Sequence, residues 1–321
     1  MNLRNKIALT MLLFGALLGG CNMIYEDLSE CPQGVYVKFY SKTPCAVDST
    51  YIGQVSDLHI FAFDDKDVLV STVLQKNVSL DKDYKVLVPV SNGYFSFIGW
   101  AGVNNYFTQS SFVKGVTTKR DVMLTLNAKK RMATALKNHK VWQGESPTVF
   151  LEDPAKVGTT YKHTAVNLRE VTNRLSVEVE LHESVAKDIA PEDFDIEITS
   201  GNGVMNIDGS MPLKQEILTY PATISFDKNK LTAKYSLMKL KTGYDNQILL
   251  RNKKTGDIIW KTDLIGSILI KNHNVNLDCE NDFNVKFVLK DKCLNCGTYY
   301  CWAIYVNDWM VHSYEVELET P

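Results

Sequence analysis

His163-Thr-Ala-Val-Asn-Leu-Arg169, Glu170-Val-Thr-Asn-Arg174 and Leu175-Ser-Val-Glu-Val-Glu-Leu181 follow one another without interruption. In the last of these, Leu175, Val177, Val179 and Leu181 alternate with polar residues. A period of two puts all four on one face of a half-buried β-strand, whereas a helix would scatter them around its axis. The alternation on the other side of Thr172-Asn173 reads as a second strand. A domain boundary is therefore expected near residue 170, with one strand closing a unit of residues 35–170 and another opening a unit of residues 171–321.

The same pattern extends in both directions. Val35-Tyr-Val-Lys-Phe-Tyr-Ser41 turns Val35, Val37 and Phe39 to one side. Asp57–Phe63 and Val68–Leu74 flank Asp64-Asp-Lys-Asp67 and read as a hairpin, since Asp caps its own backbone in turns; the aspartates lack the Gly-x5-Glu continuation of a calcium loop. Further strands are expected at Lys85–Val90, at Tyr94–Ala101 with Phe95, Phe97 and Trp100 as core candidates, and at Asp121–Leu126. Beyond the boundary they continue at 195–199, 204–207, 219–226, 231–237, 247–251, 257–261 and 284–289. Cys301–Val306, Asn307-Asp308 and Trp309–Leu318 read as a closing hairpin, with Met310, His312, Tyr314, Val316 and Leu318 on one side of its last strand. Only Asp263–Ile270 looks helical, and the basic tract Ala128–Lys140 has room for a short helix. Short strands, frequent turns and almost no helix give an all-β fold of two tandem β-sandwiches.

The beginning of the chain carries a different message. Arg4 and Lys6 precede the apolar run Ile7–Leu18, which ends in Leu18-Gly-Gly-Cys21. This is the pattern of a secretory signal with lipoprotein processing, which would remove residues 1–20 and acylate Cys21. The run is shorter than the roughly 20 apolar residues of a spanning helix. Two or more acyl chains hold a protein firmly to a membrane without crossing it. Residues 21–34 then form a tether, and the absence of Asp directly after Cys21 favours the outer membrane.

The formal net charge is −2, and loss of Arg4 and Lys6 makes the exported chain more acidic, so nucleic acid is not an expected partner. Besides Cys21 there are Cys31, Cys45, Cys279, Cys293, Cys296 and Cys301, an even number in an exported chain, which favours disulfides. A Cys31–Cys45 clip is plausible; Cys293-Leu-Asn-Cys296 with Cys279 and Cys301 has the look of a zinc set, which an oxidising compartment disfavours. Asp48-Ser49-Thr50 fits an Asp-Ser/Thr glycosylation signal. No Gly-x-Ser-x-Gly, His-Glu-x-x-His or phosphate-binding loop is present, and His59, His139, His163, His182, His273 and His312 are scattered singly. Neither catalysis nor a cofactor is expected.

Several of these stretches together resemble a known family. Cys21-x3-Tyr25-Glu-Asp-Leu-Ser29-x-Cys31-Pro32-x-Gly34-Val35-x-Val37-x-Phe39, the paired strands around Leu58–Phe63, the Val171-Thr-Asn-Arg174-Leu175 junction and Ile304-Tyr-Val-Asn-Asp-Trp309 are similar to the FimB-like fimbrial anchoring subunits, lipoproteins of type V fimbriae. The family often has Asn-Gly-Trp where this chain has Asn307-Asp308-Trp309. The resemblance implies transthyretin-like sandwiches, fimbrial shaft or accessory subunits as partners, an outer-membrane position at the base or tip of a fimbrium, and joining by strand complementation. A surface glycan-binding lipoprotein is the rival reading; it would show a groove of exposed aromatics among Tyr94, Trp100, Tyr106, Trp142 and Trp260. A surface glycoside hydrolase would instead show two carboxylates across a cleft.

Overall fold

The computed structural model describes residues 28–292 and 297–314. Its strands, in chain order, begin with β1 (Gln33–Tyr40), β2 (Gly53–Phe63), β3 (Leu69–Leu80), β4 (Lys85–Pro89), β5 (Gly93–Ala101), β6 (Phe107–Gln109), β7 (Val122–Leu126) and β8 (Ala128–Lys129). Next come β9 (Met132–Ala133), β10 (Trp142–Glu145), β11 (Val149–Leu151), β12 (Thr160–Asn167), β13 (Arg169–Glu170), β14 (Thr172–Leu181), β15 (Phe194–Ser200) and β16 (Val204–Asn206). The last are β17 (Leu218–Tyr220), β18 (Ala222–Asp227), β19 (Lys230–Met238), β20 (Asn246–Asn252), β21 (Ile258–Asp263), β22 (Asp282–Lys292), β23 (Tyr299–Val306) and β24 (Trp309–Ser313). The fold is all-β, as the alternation requires, with a few short helical turns.

Sheet order follows from which faces are apolar. β12-β1-β4 packs on β13-β10-β5-β2-β3. Between them lie Val35, Val37 and Phe39 of β1, Leu58, Ile60 and Ala62 of β2, and Phe95, Phe97 and Ala101 of β5. The intervening residues Phe61, Phe63, Ile98 and Trp100 point the other way, into a second core. Burial on both faces explains why β5 reads as a nearly continuous apolar run. The second core is the space between β18-β19-β14-β22-β23-β24 and β21-β20-β15-β17-β9-β8, filled from β14, β19, β22, β15 and β20.

The chain passes from β13, at the edge of one sheet, directly into β14, in the middle of another. Ladders also run between residues before and after 170: β7 pairs with β16, β9 pairs with β17, and Trp100 Nε1 donates to the Ile207 carbonyl at 2.7 Å. At the entry to β14, Arg174 bonds Glu170 at 2.5 Å and grips both oxygens of Asp282 at 2.5 and 2.8 Å.

Four local expectations change. Residues 263–270 form no α-helix: Asp263 Oδ1 accepts the Gly266 N–H, and the chain turns tightly so that Leu264, Ile265, Ile268 and Leu269 are all buried. Leu269 and Ile270 N–H donate to the Leu264 and Ile265 carbonyls, five residues back, in place of an α-helical ladder. The basic tract after Ala128 is the small hairpin β8–β9, with Lys130 and Arg131 at φ 50° and 64°. Pro221, which cannot donate to a ladder, separates β17 from β18, and the two join different sheets. In β24, Tyr305 pairs with Met310 but Ile304 with His312, so Val311 is an inserted residue and Met310 and His312 lie on opposite faces.

Candidate subunit-docking site

The closing hairpin turns as its residues dictate. Asn307 and Asp308 sit at φ 47° and 63°, the left-handed region that a two-residue hairpin turn demands and that Asn and Asp tolerate best. Asn307 is fixed further, because its Oδ1 accepts the Asn284 N–H at 2.9 Å. β24 therefore lies against β23 and is the terminal strand of its six-stranded sheet, β23 being the one strand it pairs with among the described residues.

An unpaired row of backbone groups is a hazard that proteins usually blunt with charge or proline. Of the edge strands longer than three residues, β3, β4, β12 and β21 each carry a lysine and β18 ends in Asp227. Among the described residues, β24, Trp309-Met-Val-His-Ser313, is the exception: it has no Lys, Arg, Asp, Glu or Pro. Its side chains add apolar surface, with Trp309 49%, Met310 51% and Tyr314 54% exposed. Trp309 meets His273 edge-on at 5.0 Å, and Tyr300 and Tyr314 stack at 5.2 Å. On the neighbouring outer face, Lys290 Nζ sits 3.8 Å above the Trp302 ring.

The cysteines are placed differently from the expected clip. Cys45 is bonded to Cys279, 234 residues away, and not to Cys31. This ties the loop after β1 to the loop before β22, two segments that only the folded chain brings together. Cys31 and Cys301 are free thiols, so neither serves as the disulfide partner it was a candidate to be. Burial pushes the Cys301 thiol up to about 12, which leaves it protonated and inert. Cys21, Cys293 and Cys296 lie outside the described residues, as do residues 315–318 of the expected final strand.

The histidines remain apart. His139 contacts the Gly102 carbonyl, His163 stacks on Tyr36, His182 bonds Ser184, and His273 and His312 pack on tryptophans. Burial lowers the His59 pKa and raises that of nearby Asp57. The Asp64–Asp67 segment is a turn whose Asp64 Oδ1 accepts from Lys66 and Val68 N–H at 2.9 Å, while Asp67 pairs with Lys119. Trp100 is fully buried, so it cannot belong to an aromatic groove; Tyr94, 53% exposed, does stand free beside Phe150, their centroids 4.6 Å apart. It borders an open cleft of about 830 Å³ walled by residues 29–33 and 89–95. What sequence reading missed is the Trp260–His312 contact and the long-range Cys45–Cys279 disulfide, neither of which leaves a local pattern.

Comparison with known proteins agrees with this geometry. The minor fimbrium anchoring subunit Mfa2 of Porphyromonas gingivalis is 34% identical over 314 residues, 96% of this chain and 94% of that protein. The solved fimbrial anchor protein Mfa2 from the same organism has a TM-score of 0.80 at 33% identity, covering 88% of this chain and 100% of its own. A candidate polysaccharide-binding protein of Bacteroides thetaiotaomicron shares the fold at TM-score 0.71 and 20% identity, over 90% and 99% of the two chains. The family of fimbrillin-A associated anchor proteins Mfa1 and Mfa2 matches residues 28–315. The resemblance carried by the N-terminal block and the final hairpin is borne out, and the chain belongs to the family of fimbrillin-A associated anchor proteins.

Proposed function

We propose that this protein is the membrane-held anchor of a fimbrium. Cys21, acylated after loss of residues 1–20, fixes it in the outer membrane; residues 21–34 give reach; and two sandwich modules, 35–170 and 171–321, carry the joint. The partner is a fimbrial shaft or accessory subunit, and the joint is strand pairing at β24. The observation that carries this reading is the unguarded edge: a five-residue strand bonded on one side and free of charge and proline. An added strand gains main-chain hydrogen bonds along such an edge, and alternate side-chain pockets set its identity.

Deleting residues 310–321 tests the joint. The shortened protein is expected to fold and to release its fimbriae into the medium; an insoluble product would assign β24 to the protein's own core, and retained fimbriae would place the joint elsewhere. Mass spectrometry of the exported protein tests the anchor, with a diacylglyceryl and N-acylated Cys21 expected and an unmodified thiol on a soluble product overturning it. A second reading, a surface glycan-binding lipoprotein, is favoured by the exposed Tyr94–Phe150 pair beside the cleft. Retardation of the protein in polysaccharide gels, abolished by Tyr94→Ala, would support it.

A further inference from the structure

Four buried side-chain atoms among the described residues lack a hydrogen-bond partner: Asp57 Oδ1, Ser96 Oγ, Trp260 Nε1 and His312 Nε2. The first two are on β2 and β5, in the interior of one sheet. The last two touch each other, with ring centroids 5.0 Å apart. They also stand at a particular place. Trp260 is on β21, the edge of one sheet of the second sandwich, and His312 is on β24, the edge of the other. Trp260 shares the inward face with its neighbour Leu250, and His312 shares it with Ile304, both fully buried. The two rings thus meet across one end of the sandwich, where neither sheet has a further strand among the described residues.

A buried indole N–H without an acceptor costs about 1–3 kcal/mol, and such orphans in native proteins call for a reason. Packing does not supply one, since phenylalanine would fill much of the same space with no penalty. Beside the pair on β24, Trp309 and Met310 are about half exposed, and among the described residues no strand pairs with the outer side of β24. A missing third wall, with an acceptor and its own backbone to pair, accounts for all of these together.

We propose that Trp260 and His312 form a socket for a main-chain carbonyl of an incoming β-strand, which extends the sheet beyond β24 and closes the end of the sandwich. The occupant is an extended, uncharged segment of a fimbrial subunit; its carbonyl accepts from Trp260 Nε1, and its apolar side chains cover Met310 on the outer face of β24. The proposal rests on the strand-pairing reading above and specifies which atoms read the strand. It also means that the free protein is held in a slightly unfavourable state that docking relieves.

The test removes the N–H while keeping the ring. 3-Benzothienylalanine, in which sulfur replaces the indole nitrogen, is placed at position 260 of the full mature chain by stop-codon suppression. Fimbriae shed from a strain lacking the gene are titrated onto the immobilised protein, and free-protein melting is followed in parallel. Expected are a melting temperature equal to or above that of the natural protein and fimbrial binding weakened about tenfold. A lowered melting temperature would reveal an intramolecular acceptor and overturn the socket, as would unchanged binding. The deletion of residues 310–321 separates the two levels: if it abolishes binding while the isostere does not, the socket alone falls; if neither changes binding, the strand-pairing reading falls with it.

Discussion

β1 lies between β4 and β12, hydrogen-bonded on both sides, with Val35 and Val37 fully buried. β24, among the described strands, pairs with β23 alone, and its Trp309 and Met310 are about half exposed. The first and last strands of one chain thus have opposite characters. The first is locked into the centre of a sheet, and the last, among the described residues, is paired along one edge only. A fully paired strand can only hold, whereas an edge strand can still take a neighbour.

The largest expected break in this contrast comes from placing the same charge in each strand. Val37→Asp buries an unpaired carboxylate and should cost more than about 4 kcal/mol, leaving little soluble folded protein in denaturant titrations. Met310→Asp should change stability by no more than about 0.5 kcal/mol while releasing fimbriae, because it charges an exposed position on the free edge. Equal loss of folding from both would erase the distinction. Next in size is Cys279→Ser, which frees the loop after β1 from the loop before β22. It is expected to lower stability by about 2–5 kcal/mol in denaturant, with docking at β24 unaffected once the protein is folded.

A smaller effect sits at the start of β14 and β22. Hydrogen bonds from Arg174 hold the Asp282 carboxyl below its ordinary value of 3.8. A depressed carboxylate contributes stability above the unfolded-state value and loses it as pH falls through the folded-state value. Wild type should therefore exceed Asp282→Asn in stability at neutral pH, with the gap closing as the medium is taken below pH 3.8. Because the Asp282 side chain is 72% exposed, the gap is expected to be at most about 1 kcal/mol. Asp57 has the opposite sign: burial raises its pKa, so acid favours its folded form, while the lowered pKa of neighbouring His59 makes acid unfavourable there. Smallest of all, Asp308→Gly should stabilise the final turn by about 0.5 kcal/mol, seen as a raised melting temperature, since glycine adopts the φ of 63° without strain.

Much of this was written locally. Leu175, Val177, Val179 and Leu181 announce β14 because one face is core and the other solvent, and Asn307-Asp308 announces its turn because few residues accept positive φ twice in succession. Where the pattern misled, a non-local contact decided. The apolar run after Asp263 has the spacing of a helix face, and it is the Asp263 carboxylate bonding the Gly266 N–H, with bonds reaching five residues back, that makes it a turn. Val311 breaks an alternation that looks perfect in sequence, because its insertion lets β24 follow β23 around the end of the sandwich. The Cys45–Cys279 pairing depends on two loops that meet only after every sheet is assembled, and Trp260 and His312 belong to strands more than fifty positions apart. Of the candidate site, the edge strand was legible and the socket beneath it was not.

The bridge between Cys45 and Cys279 has a mechanical meaning. When the chain is pulled between the residues ahead of Cys45 and its last hairpin, tension crosses the sulfur–sulfur bond and bypasses the loop it closes, whose ends are 234 positions apart. Those residues, unravelled, would pay out about 800 Å of slack. With the bond in place, only the stretches outside it can lengthen, so a molecule loaded at its two ends gives little.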